Sequence, residues 1–79
     1  MSPPTQDPQR LQRRRIQAGL NRTELARKVG ISKSYMGRLE RGLANASPRV
    51  LKWLAEGLSC DVADLMPPAP GTDSTAGAA

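Results

Sequence analysis

The stretch 21-NRTELARKVGISKSYMGRLERG-42 decides the fold, because a helical pattern stops inside it and resumes within a few residues. Asn21 is a favourable N-cap, and Glu24 completes a capping-box pair with it. Gly30 can end this first helix in a left-handed conformation, and Ser32 can cap the next one. Two short helices joined by a glycine-containing turn of roughly three to four residues predict a helix-turn-helix.

The rest of the central region is predicted to be helical as well. Residues 9–18 lack helix breakers and are followed by a glycine. Ser47 and Pro48 form a helix start whose apolar pattern continues to Leu58. Asp61 can cap one last short turn before a pair of prolines. These elements predict an all-α fold of five helices without β-type alternation.

The two ends of the chain differ from its middle in composition. Residues 1–7 are polar and proline-rich, and residues 67–79 contain no bulky side chain. Neither segment can bury enough apolar surface to order itself. We therefore expect two disordered tails around a single domain that spans residues 8–66, since a chain of 79 residues accommodates only one small domain.

Composition argues against several classes of protein. The chain has no histidine and one cysteine, Cys60, so it cannot form an internal disulfide and falls short of a zinc site. The usual nucleophile–base pairs of enzymes are also missing. We expect no metal, no cofactor and no catalytic activity. No run approaches the roughly 18 apolar residues of a membrane span, and the N-terminus has no apolar signal-peptide core, which favours a cytoplasmic protein without membrane contact.

Positive charge is concentrated in the predicted domain. The chain has 12 Lys and Arg residues against 7 Asp and Glu residues, a formal net charge of +5. All 12 basic residues but only five acidic ones lie between Gln9 and Met66, which gives this region a net charge of +7. A dense positive field on a small body attracts polyanions, so nucleic acid is the first class of partner to consider.

The second helix of the predicted helix-turn-helix has an outward face without bulky apolar residues. Met36 and Leu39 anchor this helix to the core. The outward positions are Lys33, Ser34, Gly37 and Arg38. Packing alone does not require cations and a hydroxyl there, so this face is the candidate contact surface for a partner.

Several motifs of the chain, in their order and spacing, resemble those of the Cro/CI-type (XRE) helix-turn-helix domains of lambdoid phage repressors and their bacterial relatives. They are GLNRTELARKVG, LERG and LAEGLSCDVADL, within a similarity that covers roughly residues 11–66. The resemblance implies a compact five-helix, lambda-repressor-like DNA-binding domain. It also implies a sequence-specific transcriptional regulator of the repressor type, which binds a palindromic operator in double-stranded DNA as a homodimer.

The resemblance implies roles for individual residues. Lys33–Arg41 corresponds to the recognition helix, whose N-terminal part enters the major groove. The residues expected to contact bases are Lys33, Ser34 and Arg38. The residues expected to contact the DNA backbone are Asn21, Arg22, Thr23, Ser32, Tyr35 and Arg49. Glu40 is expected to form an architectural ion pair with Arg15.

Several of these roles have a purely structural alternative. Asn21 and Ser32 could act only as helix caps, and Tyr35 could pack without reaching DNA. Many relatives carry glutamine at the position of Arg22, where it contacts both a phosphate and the recognition helix. Arginine cannot accept a hydrogen bond as glutamine does, so the bridging role does not carry over directly to Arg22. Gly37 adds no side chain to the reading face.

A second class of function fits the same sequence. The domain could be a protein-interaction module, such as an antitoxin or an adaptor, with DNA binding secondary. The only tryptophan, Trp53, lies beside the apolar stripe of its helix, either at the edge of the core or in a dimer contact. Charge alone would also permit non-specific binding to nucleic acid. Selection from random duplexes separates these alternatives.

Overall fold

The computed structural model describes residues 4–67, which form four α-helices and one 3-10 helix. The α-helices are α1 (Pro8–Gln17), α2 (Arg22–Val29), α3 (Lys33–Arg41) and α4 (Pro48–Leu58). The described residues contain no β-strand, and none of their helices is long and apolar enough to cross a membrane. The all-helical prediction is therefore confirmed.

The predicted fifth helix is different, because it is only a 3-10 helix over Val62–Leu65. A segment this short cannot repay the cost of nucleating an α-helix. The next residue, Met66, is extended with φ −106° and ψ 153°. This conformation is expected, because Pro67 disfavours the α region for the residue before it.

Each α-helix begins at a side-chain cap. The capping residues are Asp7, Asn21, Ser32 and Ser47, which accept hydrogen bonds from backbone N–H groups of the first turn. Two of the helices, α2 and α3, end at glycines with positive φ, 81° at Gly30 and 75° at Gly42. The capping box predicted at the start of α2 is present. These local signals fix where α2 and α3 begin and end.

The core lies between all five elements. Packing joins α3 to α1 and α2, and joins α4 to α2 and the 3-10 helix. The fully buried apolar side chains are Leu11, Leu25, Met36, Leu39, Leu54 and Leu65. Met36 and Leu39 therefore anchor α3 as the sequence indicates, and the exposed side of α3 is left facing outward.

The N-terminal segment inserts one polar side chain into this core. Gln6 is fully buried, and its Nε2 donates to the carbonyl oxygens of Leu39 at 3.0 Å and Ala44 at 2.8 Å. Its Oε1 accepts from the backbone N–H of Ala46 at 2.9 Å. A buried amide is tolerated when its polar atoms are hydrogen-bonded in this way.

The expectation that residues 1–7 are disordered does not hold for residues 4–7. Asp7 caps α1, and its backbone N–H donates to the carbonyl oxygen of Leu65 at 2.7 Å. The ordered domain therefore begins before residue 8. The remainder of the two predicted tails, residues 1–3 and 68–79, lies outside the described residues.

Candidate nucleic-acid interface

The turn between α2 and α3 is closed by backbone hydrogen bonds. The N–H groups of Gly30 and Ile31 both donate to the carbonyl oxygen of Ala26, each at 2.9 Å. Ile31 is partly buried and packs against the core, while the Oγ of Ser32 accepts from the N–H of Tyr35 at 3.0 Å. The turn therefore fixes the first turn of α3 relative to α2.

A surface groove runs along the outward side of α3. Its lining residues are Arg22, Lys33, Ser34, Gly37, Arg38, Arg41 and Leu43. The three residues expected to contact bases are thus brought together on one surface. Four of the lining residues are cationic and none is acidic, so the groove attracts an anionic partner.

Two lining residues were missed by the sequence analysis. Arg41 lies eight positions after Lys33 and four after Gly37, so helical periodicity could have placed it on the same face. Leu43 follows the end of α3 and is 69% exposed. A leucine gives no sequence signal for exposure, because this residue type is usually buried.

Glu40 forms a buried ion cluster behind the groove. Its side chain is 1% exposed, and its two carboxylate oxygens accept from Arg15, Oε2 from Nε at 2.6 Å and Oε1 from Nη2 at 3.2 Å. Arg15 also donates from Nη1 to the carbonyl oxygen of Leu20 at 2.9 Å. The structure therefore brings Arg15 and Glu40 together and joins α3 to α1.

Arg22 is a third member of this cluster, which the sequence did not indicate. Its Nε donates to Oε1 of Glu40 at 3.1 Å, while its side chain remains 40% exposed and lines the α3 groove. An arginine cannot accept a hydrogen bond as glutamine can, but here it braces α3 by donating one. Arg22 thus connects a buried carboxylate to the exposed groove.

The cap of α2 uses only some of the hydrogen-bonding groups of its side chains. Asn21 Oδ1 accepts from the N–H of Glu24 at 2.7 Å, and Glu24 Oε1 accepts from the N–H of Asn21 at 2.8 Å. The amide NH₂ of Asn21 makes no hydrogen bond within residues 4–67. Thr23 lies beside it in the first turn of α2 and is partly buried. The start of α2 therefore presents polar donors near the groove.

Tyr35 and Arg49 are positioned differently from the other candidates. The Tyr35 hydroxyl donates to the carbonyl oxygen of Asn45 at 3.0 Å, so its proton is used inside the domain. Arg49 lies in the exposed first turn of α4. It lines a depression with Lys52 and Trp53 and does not line the α3 groove.

Trp53 lies on the outer side of α4 and is 40% exposed. It borders a second depression, which is lined by Lys28, Val29, Glu56 and Gly57. The tryptophan is therefore at the surface edge of the domain, on a face separate from the α3 groove.

Cys60 is partly buried and packs against the core. Burial raises the pKa of its thiol, an effect that the nearby Arg14 opposes. The raised pKa keeps the thiol protonated at neutral pH, and a protonated thiol is a poor nucleophile. Within residues 4–67, no group of three or more His, Cys, Asp or Glu side chains is arranged to hold a metal ion.

Comparison with known proteins places this arrangement among DNA-binding regulators. Residues 9–66 match a family model described as a helix-turn-helix domain. The restriction-modification controller protein C.AhdI from Aeromonas hydrophila is 36% identical, with a TM-score of 0.72, and the match covers 75% of this chain and 89% of that chain. No curated protein sequence matches the chain.

Two further solved structures are similar over most of the described residues. SinR of Bacillus subtilis, a master regulator for biofilm formation, was solved in complex with DNA; it is 35% identical, with a TM-score of 0.68, over 71% of this chain and 90% of that chain. The clp gene regulator ClgR from Corynebacterium glutamicum is 32% identical, with a TM-score of 0.68, over 72% of this chain and 74% of that chain.

Proposed function

Because the chain belongs to the XRE (Cro/CI-type) helix-turn-helix family, we propose that it is a lambda-repressor-like transcriptional regulator that places α3 in the major groove of a specific DNA sequence. The observation that carries this proposal is the α3 groove, whose lining holds four cations and no acid. The major groove of B-DNA is about 12 Å wide and admits an α-helix. A regulator of this kind acts in the bacterial cytoplasm, where its DNA is.

The proposed base contacts are made by exposed side chains at the N-terminal end and in the middle of α3. Lys33 and Arg38 are suited to the O6 and N7 acceptors of guanine, and Ser34 can donate to or accept from a base edge. Each good bidentate contact discriminates against a wrong base by about 1–3 kcal/mol. The order of these side chains along the helix would set the order of bases that are read.

Phosphate contacts are proposed at the start of α2 and around the turn. The free N–H groups of a helix N-terminus favour an anion, and Asn21 and Thr23 add side-chain donors there. Arg22 can bind a phosphate through its Nη atoms while its Nε holds Glu40. Because such contacts release counterions, the affinity should fall steeply as salt rises.

The remaining backbone contacts are proposed from the edges of the interface. Ser32 lies at the turn, and its hydroxyl proton is available to a phosphate because its oxygen, as acceptor, makes the cap. Tyr35 donates its own proton to Asn45, so a phosphate contact would require that bond to break. Arg49 would reach the backbone beyond the end of the α3 groove.

A second copy of the chain is the proposed partner on DNA. One α3 reads only a half-site, and a palindromic operator with half-sites about 34 Å apart matches a two-fold dimer. The exposed Trp53 on α4 supports a protein contact there, because aromatic residues are enriched at the centres of interfaces. Sedimentation with and without operator DNA measures the stoichiometry directly.

Selection from a pool of random duplexes tests the proposed function. We expect wild-type protein to enrich a palindrome, and Arg38→Ala to relax the preference at one base position per half-site. Arg13→Ala is the matched control, because it removes the same charge from a different surface, on α1. Retention of duplexes without any motif would refute specific recognition, and uniform weakening by Arg38→Ala would limit that residue to phosphate contact.

A further inference from the structure

Among residues 4–67, two glycines lie inside α-helices, and close packing explains the absence of a side chain at only one of them. A glycine within a helix destabilises it relative to alanine, because its backbone loses more freedom on folding. At Gly57 in α4 an added Cβ would lie 2.6 Å from Cγ1 of Val29, so close packing of α4 against α2 requires glycine. At Gly37 in α3 an added Cβ would meet nothing within 4 Å.

The space beside Gly37 opens onto the surface proposed to contact DNA. Lys33, Ser34, Arg38 and Arg41 line the same groove as Gly37. The φ of Gly37 is not positive, so its backbone does not demand glycine. No side chain or backbone group of residues 4–67 uses the space that the missing Cβ leaves. A group that fills this space must therefore come from outside the domain.

We propose that Gly37 is a specificity-determining residue, at which the C5 methyl group of a thymine fills this space when α3 lies in the major groove. The inference rests on the proposed function. Gly37 lies inside α3, where helix geometry uses its N–H and carbonyl within the helix, so it cannot hydrogen-bond to a base. Its Cα, in a half-buried residue that lines the α3 groove, offers only a close apolar contact, and the thymine methyl is the apolar feature of the major groove.

The neighbouring side chains fit this assignment. Lys33 lies one helical turn before Gly37, and Arg38 follows it directly, so two cations that suit guanine flank the apolar contact. The selected half-site should therefore carry a thymine beside or between positions read by these cations. A longer side chain at position 37 would hold the helix away from that base pair.

The test combines Gly37→Ala with removal of the thymine methyl. Affinity for the selected operator is measured by fluorescence anisotropy, with thymine replaced by uracil at one position at a time. We expect Gly37→Ala to bind the intact operator about tenfold more weakly, because two methyl groups then compete for one space. A uracil at one position per half-site should bring Gly37→Ala to within about twofold of wild type on the same duplex.

Thermal melting supplies the control for folding. Gly37→Ala should melt at a higher temperature than wild type, because alanine favours the helix and has room. Gly57→Ala should melt at a lower temperature, because its Cβ collides with Val29. A weakened but more stable Gly37→Ala protein therefore cannot be explained by misfolding.

Two results would overturn the proposal. Undiminished affinity of Gly37→Ala for the operator would show that the space is empty in the complex. A loss of affinity that no uracil substitution restores would show that the occupant is not a thymine methyl. Failure of wild-type protein to select any motif is a separate outcome, because it refutes the proposed function before Gly37 is tested.

Discussion

The two ends of α3 are held in different ways. Its N-terminal end is fixed by the corner, residues 21–32, through contacts between residues close in sequence, such as the Ser32 cap on Tyr35. Its C-terminal end runs into a loop, residues 43–46, which is held by Gln6 from more than 30 positions away. The corner is therefore encoded locally, and the loop depends on the tertiary fold.

This difference also separates two kinds of stabilisation. The corner is made of helix caps, each of which contributes about 1 kcal/mol and forms with its own helix. The loop buries backbone groups that only a distant side-chain amide satisfies, and a buried polar group left without a partner costs about 1–3 kcal/mol. Substitutions at each end of α3, and in the ion cluster behind it, can therefore test the comparison.

The largest loss in the free energy of unfolding is expected from a substitution in the ion cluster that joins α3 to α1 and α2. Glu40→Ala leaves the guanidinium of Arg15 buried without its carboxylate, and breaking a buried pair in this way costs about 3–5 kcal/mol. Thermal melting measures the loss. The exposed Glu56→Ala on α4 is the control and should change the free energy of unfolding by less than about 0.5 kcal/mol. An unchanged melting temperature for Glu40→Ala would contradict the stabilising role of the cluster.

A smaller loss is expected at the loop. Gln6→Leu replaces the buried amide with an apolar side chain of similar size and removes three hydrogen bonds, which should cost about 2 kcal/mol. Amide hydrogen exchange should speed up at Ala46 before it does in the corner. Gln17→Leu, on the exposed end of α1, is the matched control. If amide hydrogen exchange sped up equally in the loop and in the corner, the two ends of α3 would not be held independently.

The corner could be predicted from sequence because its signals are local. The Asn21 capping box, the positive φ of Gly30 and the Ser32 cap each depend on residues within a few positions of one another. The Arg15–Glu40 contact came only from the family resemblance, since no local pattern relates residues 25 positions apart.

The loop and its anchor could not be predicted in the same way. Gln6 lies in a polar, proline-rich segment whose composition indicates disorder, and only the packed fold shows the buried carbonyl groups that it satisfies. The role of Arg22 in the ion cluster depends likewise on how α2 packs against α3. The sequence pattern predicts the outward positions Lys33, Ser34, Gly37 and Arg38 of α3, but it did not lead to Arg41 or to the exposed Leu43 beyond the end of the helix.

The smallest effect on stability is expected at the cap of α3. This cap also tests whether the corner presents α3 to DNA. Ser32→Ala removes the cap on Tyr35 and should cost about 1 kcal/mol, or roughly 4–8 °C in melting temperature for a domain of this size. Ser47→Ala removes the equivalent cap of α4, where Oγ accepts from Val50 at 3.2 Å.

The two caps should differ in their effect on DNA binding. Fraying of the first turn of α3 displaces Lys33 and Ser34, so Ser32→Ala should weaken operator binding well beyond what its stability loss explains. Ser47→Ala should lose a similar amount of stability but weaken operator binding less, because fraying of the first turn of α4 displaces only the proposed backbone contact of Arg49 and no residue that lines the α3 groove. Equal losses of affinity in the two variants would mean that the corner stabilises the fold without presenting α3 to DNA.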